Sequence, residues 1–400
     1  MNALKTAIAL STVLAFGMPA YATNSTSDVT QSGSGHTANV DQSGSITGGT
    51  STIEQSGSDN SASVTQVDDG SGGFPMNTAT VVQTGNNNSA EVNQNADITT
   101  GPNNSMIEQT SDNNSILVWQ GVGVSGNNNQ SNVSQGGDGN HMVDVSQPGD
   151  DNISNITQTG DSETAIVTQS GNRNLSDILQ DGSNNTAMVE QSGDDNVSNI
   201  DQSSPGGNRP NGSMVSVAQG GNMNNSDVQQ RGNDSMVGVT QDGDNNQSDV
   251  RDFGNRTSVT VSQIGNDNQS DVLNRGEDSS VMVAQLGDMN VSNVTQSEDS
   301  PPTENYMASV TQGGNENESN LSQDGNDLSA TVSQGGDLNL SDLTQVGSFQ
   351  TASVSQDGNE NMSLLDQSGS DNSATVSQMT DNNTQSLMQI NSGNTASVTQ

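Results

Sequence analysis

Two histidines, His36 and His141, forty-seven carboxylates and no cysteine are the whole stock from which this 400-residue chain could build a catalytic or metal centre. No nucleophile–base constellation accompanies His141, which stands where other repeats have asparagine, so it reads as a substituted structural residue. Disulfide frameworks and thiolate metal sites are excluded. Turns such as GDDN at 149–152 and 193–196 are oxygen-rich. Calcium β-rolls, however, are built on a nine-residue G-G-x-G-x-D repeat, which this sequence lacks. The expectation is no catalysis and no cofactor, with at most diffuse binding of cations such as calcium by outward carboxylates. The group that recurs at fixed spacing is the side-chain amide. QSGDDNVSNIDQ at 191–202 and QGGNMNNSDVQQ at 219–230 share one frame. The chemistry it offers is hydrogen bonding by groups that are donor and acceptor at once.

The frame positions run from Gln31 to Gln400 with Gln at all but Asp252 and Asn274, and 24 of the 31 intervals are eleven residues long. The other seven are longer, as turn insertions would be. Reading back from each glutamine in steps of two gives N-x-[A/S/V]-x-[V/I/L]-x-Q. A period of two is a strand with one face inward. The inward amides are placed at Gln169, Gln180, Gln191, Gln202, Gln323, Gln334, Gln345 and Gln356, and at Asn174, Asn185 and Asn196. The inward core between them holds Ser176, Ile178, Ala187, Val189, Ser198 and Ile200. Gly171, Gly182 and Gly193 follow their glutamines by two and mark turns, because glycine accepts positive φ. The small inward residue alternates between serine and Ala or Val, so the full repeat is strand-turn-strand-turn over about 22 residues.

These elements predict an all-β, two-sheet β-solenoid of about 16 such repeats, stacking as cross-β. Like residues lie on like at the strand spacing of about 4.8 Å. Stacked Gln and Asn then form ladders, each amide donating to one rung and accepting from the other. The insertions place early loops on one edge and later loops, including SSPGGNRPN and SEDSPPTEN, on the other. Asp227, Asp249 and Asp271, spaced by 22, fall in one outward column and should repel. No capping helix or charged tail follows SGNTASVTQ, so the ends read as open templates for another copy.

Composition sets the setting. The chain is 27% hydrophobic and 2% aromatic, with net charge −40. Without a strict repeat, such a chain would be disordered. Residues 1–22 read as a signal peptide, with Lys5, an apolar run and the A-x-A site Ala20-Tyr21-Ala22. Residues 23–400 are the repeat region. Its acidity disfavours nucleic acid and anionic lipid, and no segment calls for membrane insertion. Self-association is the remaining kind of partnership.

The frame resembles the curlin repeat of curli fibre subunits, with QTGNNNSAEVNQ at 83–94 and QSGSDNSATVSQ at 367–378 as close examples. The resemblance implies a secreted bacterial subunit that polymerises into extracellular amyloid fibres of the biofilm matrix, for adhesion and cell aggregation. It also implies a nucleating subunit and an outer-membrane export channel as partners. Curlin subunits usually have fewer repeats and an export segment between signal peptide and repeats, whereas here the frame begins at Ser27, Val29 and Gln31. The contrasting expectation is a monomeric secreted solenoid, an adhesin or an ice- or cation-binding surface. Outward hydroxyl columns such as Ser329, Thr351, Ser373 and Thr395 would serve it.

Overall fold

Period-two patterning with Val, Ile, Ser and Thr dominant, punctuated by Gly, Asn and Asp, leaves strands and tight turns as the only regular choice. The structure is a computed structural model that describes residues 25–45, 48–68, 76–96, 101–121, 127–204, 209–297 and 305–400. Residues 1–22, read above as a signal peptide, and the centres of the insertions at 205–208 and 298–304 lie outside the described residues. Every regular element among those residues is a strand, and there is no helix. Two compact units divide the chain, residues 1–184 and 185–400.

Each unit is a parallel β-solenoid. In the first, strands Gln130–Gln135, Ile153–Gln158 and Leu175–Asp181 stack in register. The strands that alternate with them, Ser115–Gln120, Met142–Gln147 and Thr164–Gln169, form a second stack. In the second unit, Asn225–Gln230, Gln247–Asp252 and Gln269–Asn274 form one stack. Met236–Asp242, Ser258–Ile264 and Ser280–Gln285 form the other. A strand therefore pairs with the one a full repeat away and skips its sequence neighbour. This is the 22-residue periodicity read from the Ser/Ala alternation.

The two stacks are not separate sheets throughout. Strands Glu318–Gln334 and Leu340–Gln356 each carry two half-repeats and stay paired through the corner, at Asp324↔Val346, Gly325↔Gly347 and Asn326↔Ser348. The pairing there carries through one corner of the rung and skips only Asp327. The expectation of two distinct sheets assumed that a corner must break the ladder. When successive corners have the same shape, it need not.

The corners also correct the reading of the glycines. Gly171, Gly182 and Gly193 do not hold the left-handed conformation, which falls two residues later at Arg173, Asn184 and Asp195 (φ 56°, 56° and 59°). Even Met289 and Leu338 take it (φ 56° and 59°), despite the steric cost to a large side chain. Gly221 and Gly243 are positive as well (φ 86° and 128°). The shared requirement is space. A Cβ on Gly193 would fall on the carbonyl oxygen of Gly221 in the next corner, and one on Gly243 on that of Gly265. Corners stack at the strand spacing, and at this position backbone lies directly on backbone.

Adjacent glycines give the test. A Cβ on Gly314 would collide with the Gly336 carbonyl, whereas on Gly313 its nearest neighbour is the Gln334 oxygen at 3.8 Å. Gly314→Ala should destabilise by about 1–3 kcal/mol, as overpacking does. Gly313→Ala should be neutral or stabilising by up to about 1 kcal/mol, through the unfolded chain. Denaturant midpoints of the two full-length variants decide, and equal midpoints would rule out the stacked-corner account.

Candidate functional site

Burial comes from the pleat. In the strand Leu175–Asp181, Ser176, Ile178 and Gln180 point inward; in Thr186–Gln191 it is Ala187, Val189 and Gln191; in Val197–Ser203, Ser198, Ile200 and Gln202. All nine are buried, as are Gln169, Gln323, Gln334, Gln345, Gln356, Asn174, Asn185 and Asn196. Only a few methyl-bearing side chains fill each rung, so satisfying the buried amides is as important as packing.

The glutamines do so along the stack. Gln323 Nε2 donates to Gln345 Oε1 at 2.9 Å, and Gln345 donates to Gln367 at 2.9 Å. In the alternate stack Gln334 donates to Gln356 at 3.0 Å and Gln356 to Gln378 at 2.9 Å. Gln191 donates to Gln219 at 2.8 Å; in the first unit Gln147 donates to Gln169 and Gln158 to Gln180, each at 2.8 Å. All these bonds run toward the C-terminal rung. The second N–H crosses the core to the backbone: Gln345 to the Ser329 carbonyl at 3.1 Å, and Gln356 to that of Leu340 at 3.0 Å. The ladder is thus also a tie between the two halves of a rung, which the spacing of glutamines does not reveal.

Asparagine works differently from the side-chain ladder expected of it. Asn196 Oδ1 accepts from the backbone N–H of Asn224 at 2.9 Å, while its Nδ2 donates to the Gly221 carbonyl at 2.9 Å. Asn174 N–H donates to Asn152 Oδ1 at 2.9 Å, whose Nδ2 reaches the Gly171 carbonyl at 2.8 Å. Asn185 accepts from the Ser213 N–H at 3.1 Å and donates to the Pro210 carbonyl at 3.0 Å. The shorter side chain cannot easily span a rung to its own kind, so it clamps the corner backbone. Direct Asn–Asn bonds add to this clamp at Asn246 and Asn268, each 3.1 Å from its neighbour.

Both histidines are clamps of the same design. His141 Nδ1 accepts from the Glu163 N–H at 3.3 Å, and its Nε2 lies 2.6 Å from the Gly136 carbonyl. Those partners require the neutral Nε2–H tautomer, which copies the acceptor and donor of asparagine. Burial holds the His141 pKa below its ordinary value, against the pull of the Gly136 hydrogen bond. His36, at the same corner position of that stack, has equivalent partners, the Asn60 N–H at 3.4 Å and the Ser32 carbonyl at 3.0 Å. Among the described residues no three His, Asp or Glu side chains group as metal ligands.

One stack has a break in its ladder. Asp252 and Asn274 stand in glutamine positions, fully buried. Gln230, facing a shorter neighbour, turns its Nε2 to the Gly232 carbonyl at 2.6 Å. Asp252 accepts from Thr257 Oγ1 at 2.6 Å and from Asn274 Nδ2 at 2.9 Å. Burial pushes its pKa up to about 7, with those hydrogen bonds opposing. A neutral carboxyl is the closest match to the amide it replaces.

The outer surface holds two features that sequence reading missed. Asp227, Asp249 and Asp271 do stack. Arg251 lies between the last two, its Nη2 2.7 Å from Asp271 and its Nε 3.4 Å from Asp249. The column is bridged rather than purely repulsive. The signal was present, since residues two apart on a strand share a face. At one corner of the second unit the third residue after glutamine alternates strictly: Asp194, Asn222, Asp244, Asn266, Asp288, Asn315, Asp337, Asn359, Asp381. From Asn222 onward each accepts the backbone N–H of the member before it, as Asp288 does from Asn266 at 2.7 Å and Asn266 from Asp244 at 2.9 Å. Reading this offset at 22-residue steps would have found it.

Residues 171–203 and 336–369 match the curlin associated repeat family. The chain carries curlin repeats. No curated protein matches the chain. The matched segment 336–369 contains Asn339, whose Oδ1 accepts from the Asn361 N–H at 2.9 Å, the Gln345 ladder bond and the close-packed corner at Gly347.

Two predictions follow from charge. Asp252 binds its proton more tightly folded than unfolded, so its contribution is fully present below pH 4 and is lost as pH rises toward 7. A shift of about three pKa units is worth on the order of 4 kcal/mol. Asp252→Asn should flatten the stability profile between pH 4 and 7 and be more stable than wild type at pH 8. An unchanged pH profile in denaturant titrations would show that Asp252 is not held neutral. Asn266→Asp should place three carboxylates on consecutive rungs, each adjacent pair repelling by roughly 1 kcal/mol in water. Its destabilisation should shrink as salt is raised, whereas a salt-independent loss would point to the lost amide instead.

Proposed function

We propose that this chain is a structural subunit of a secreted, curli-like amyloid fibre of the extracellular biofilm matrix, used for adhesion and cell aggregation. The observation that carries this reading is in-register pairing of like on like, with Gln-to-Gln bonds that point the same way, as from Gln323 through Gln345 to Gln367. A rung recognises the next by its main-chain edge and its amides. Nothing in that recognition requires both rungs to belong to one chain. Self-templating is the consequence wherever an edge rung of one copy meets one of another. The curlin repeats support the same reading, and repeat and fold are those of a structural protein rather than a catalyst.

A signal peptide at 1–22 delivers the chain out of the cytoplasm, and an export channel and a nucleating subunit are the partners that curli-type assembly implies. Net charge of −40 makes contact between copies depend on screening. Sodium, diffusely bound calcium or acid should all shorten the wait before fibres form.

The test is incubation of purified residues 23–400 over a salt series, followed by thioflavin fluorescence, electron microscopy and fibre diffraction. Fibres with a reflection near 4.8 Å, and lag times that fall with salt, are expected. Persistent monomer at every salt concentration would exclude the fibre and leave the monomeric adhesin as the better reading.

A further inference from the structure

One stack in each unit carries serine at most of its small inward positions, and most of these hydroxyls are without hydrogen-bond partners in the protein. Ser131, Ser154 and Ser176 lie in register in the first unit, and Ser226, Ser248 and Ser270 in the second. All six are at most 1% exposed, and none of the six Oγ atoms has a partner. A buried hydroxyl left bare costs about 1–3 kcal/mol, and here the cost would recur at rung after rung.

Packing does not require serine. Ala79 occupies the same slot between Ser51 and Ser105 and is fully buried. The alternate stack of the second unit uses Val237, Val259 and Val281 at the equivalent position. The hydroxyl itself therefore has a partner to meet.

Stacked Oγ atoms repeat at the strand spacing of about 4.8 Å, too far for a direct bond between hydroxyls. Two hydrogen bonds of about 2.8 Å, bent at a shared atom, span that gap. A water between rungs supplies such an atom. Each serine then donates to one water and accepts from the other, and each water has the two polar partners that a buried water needs. At one place the protein fills this position itself. Ser363 pairs with Gln385, and the Ser363 hydroxyl donates to Gln385 Oε1 at 3.0 Å. There the hydroxyl points along the column, and a longer side chain sets an oxygen where the bridging atom belongs.

We propose that the serine column is a binding site for water: a single file inside each unit, one molecule between each pair of stacked serines. In the second unit it links Ser226, Ser248 and Ser270, and in the first Ser131, Ser154 and Ser176. The fold thereby has a polar seam within its core, beside the aliphatic one, and the Ser/Ala alternation of the sequence is the difference between a wet and a dry column.

The experiment uses the full chain in two ways. Magnetisation transfer from water, read by NMR on wild type, should reach Ser248 Cβ and leave the neighbouring inward Val250 unlabelled on the same timescale. Ser248→Ala should lower the thermal midpoint by about 2–4 °C, as expected for a large domain, because it cuts the file and strands its neighbours. Ser262→Ala, at an outward position, should not. Bare hydroxyls predict the opposite sign, since removing one relieves its desolvation. No water transfer to Ser248, or a midpoint for Ser248→Ala equal to or above wild type, overturns the proposal. Should Ser248→Ala fail to fold, the wild-type transfer measurement decides alone.

Discussion

Everything in this protein answers to one distance, the spacing of about 4.8 Å between parallel strands. A side chain buried in a stack meets its own copy at that interval above and below. Glutamine suits it: a primary amide is long enough to bring Nε2 within 2.7–3.0 Å of the next Oε1, as at Gln55–Gln83 and Gln109–Gln135. It still has an N–H left for the facing strand. A core this thin could not hold the rungs by apolar burial alone. The ladder removes the desolvation cost of the amides, and the tie across the core fixes how the two halves of a rung face each other.

The corners solve the same distance differently. Main chain stacks on main chain there, so glycine is needed where a Cβ would enter the next corner. The left-handed turn is left to residues such as Asp195 or Leu338, whose side chains leave into solvent. Asparagine, histidine and, at Gly182, the Glu163 carboxylate then satisfy corner backbone groups; Glu163 Oε1 accepts the Gly182 N–H at 2.6 Å. These unlike residues share one job because each offers an acceptor at the right reach.

Strands, register and the inward amides were legible in the sequence because period two and period 22 are both visible in residue types. Gln345 could be placed from spacing alone. What spacing could not give was the partner of each polar group. The role of Asn196 depends on a corner carbonyl, which no side-chain pattern records, and the reason for Gly193 lies in another corner's backbone. The bridging by Arg251 was missed for another cause: its column was read for like charges only. Pairing through the corner at 324–326 was also hidden, because turn-forming residues are the usual mark of a strand's end.

The corner alternation of Asn and Asp reconciles a strongly acidic chain with cross-β stacking. Identical residues on successive rungs suit amides and methyls but penalise carboxylates, since charges about 4.8 Å apart lie well inside the Debye length. Placing aspartate at every second rung doubles the separation to roughly 9.6 Å, comparable with the Debye length of about 8–10 Å near physiological salt. The asparagine between is not a neutral spacer. Asn266 Oδ1 accepts the Asp244 N–H, and its own N–H goes to the Asp288 carboxylate, so each charge is hydrogen-bonded as well as screened. The rule that like stacks on like therefore holds inside the core, where polar groups must satisfy one another. It is broken at a surface corner, where the same regularity would accumulate charge.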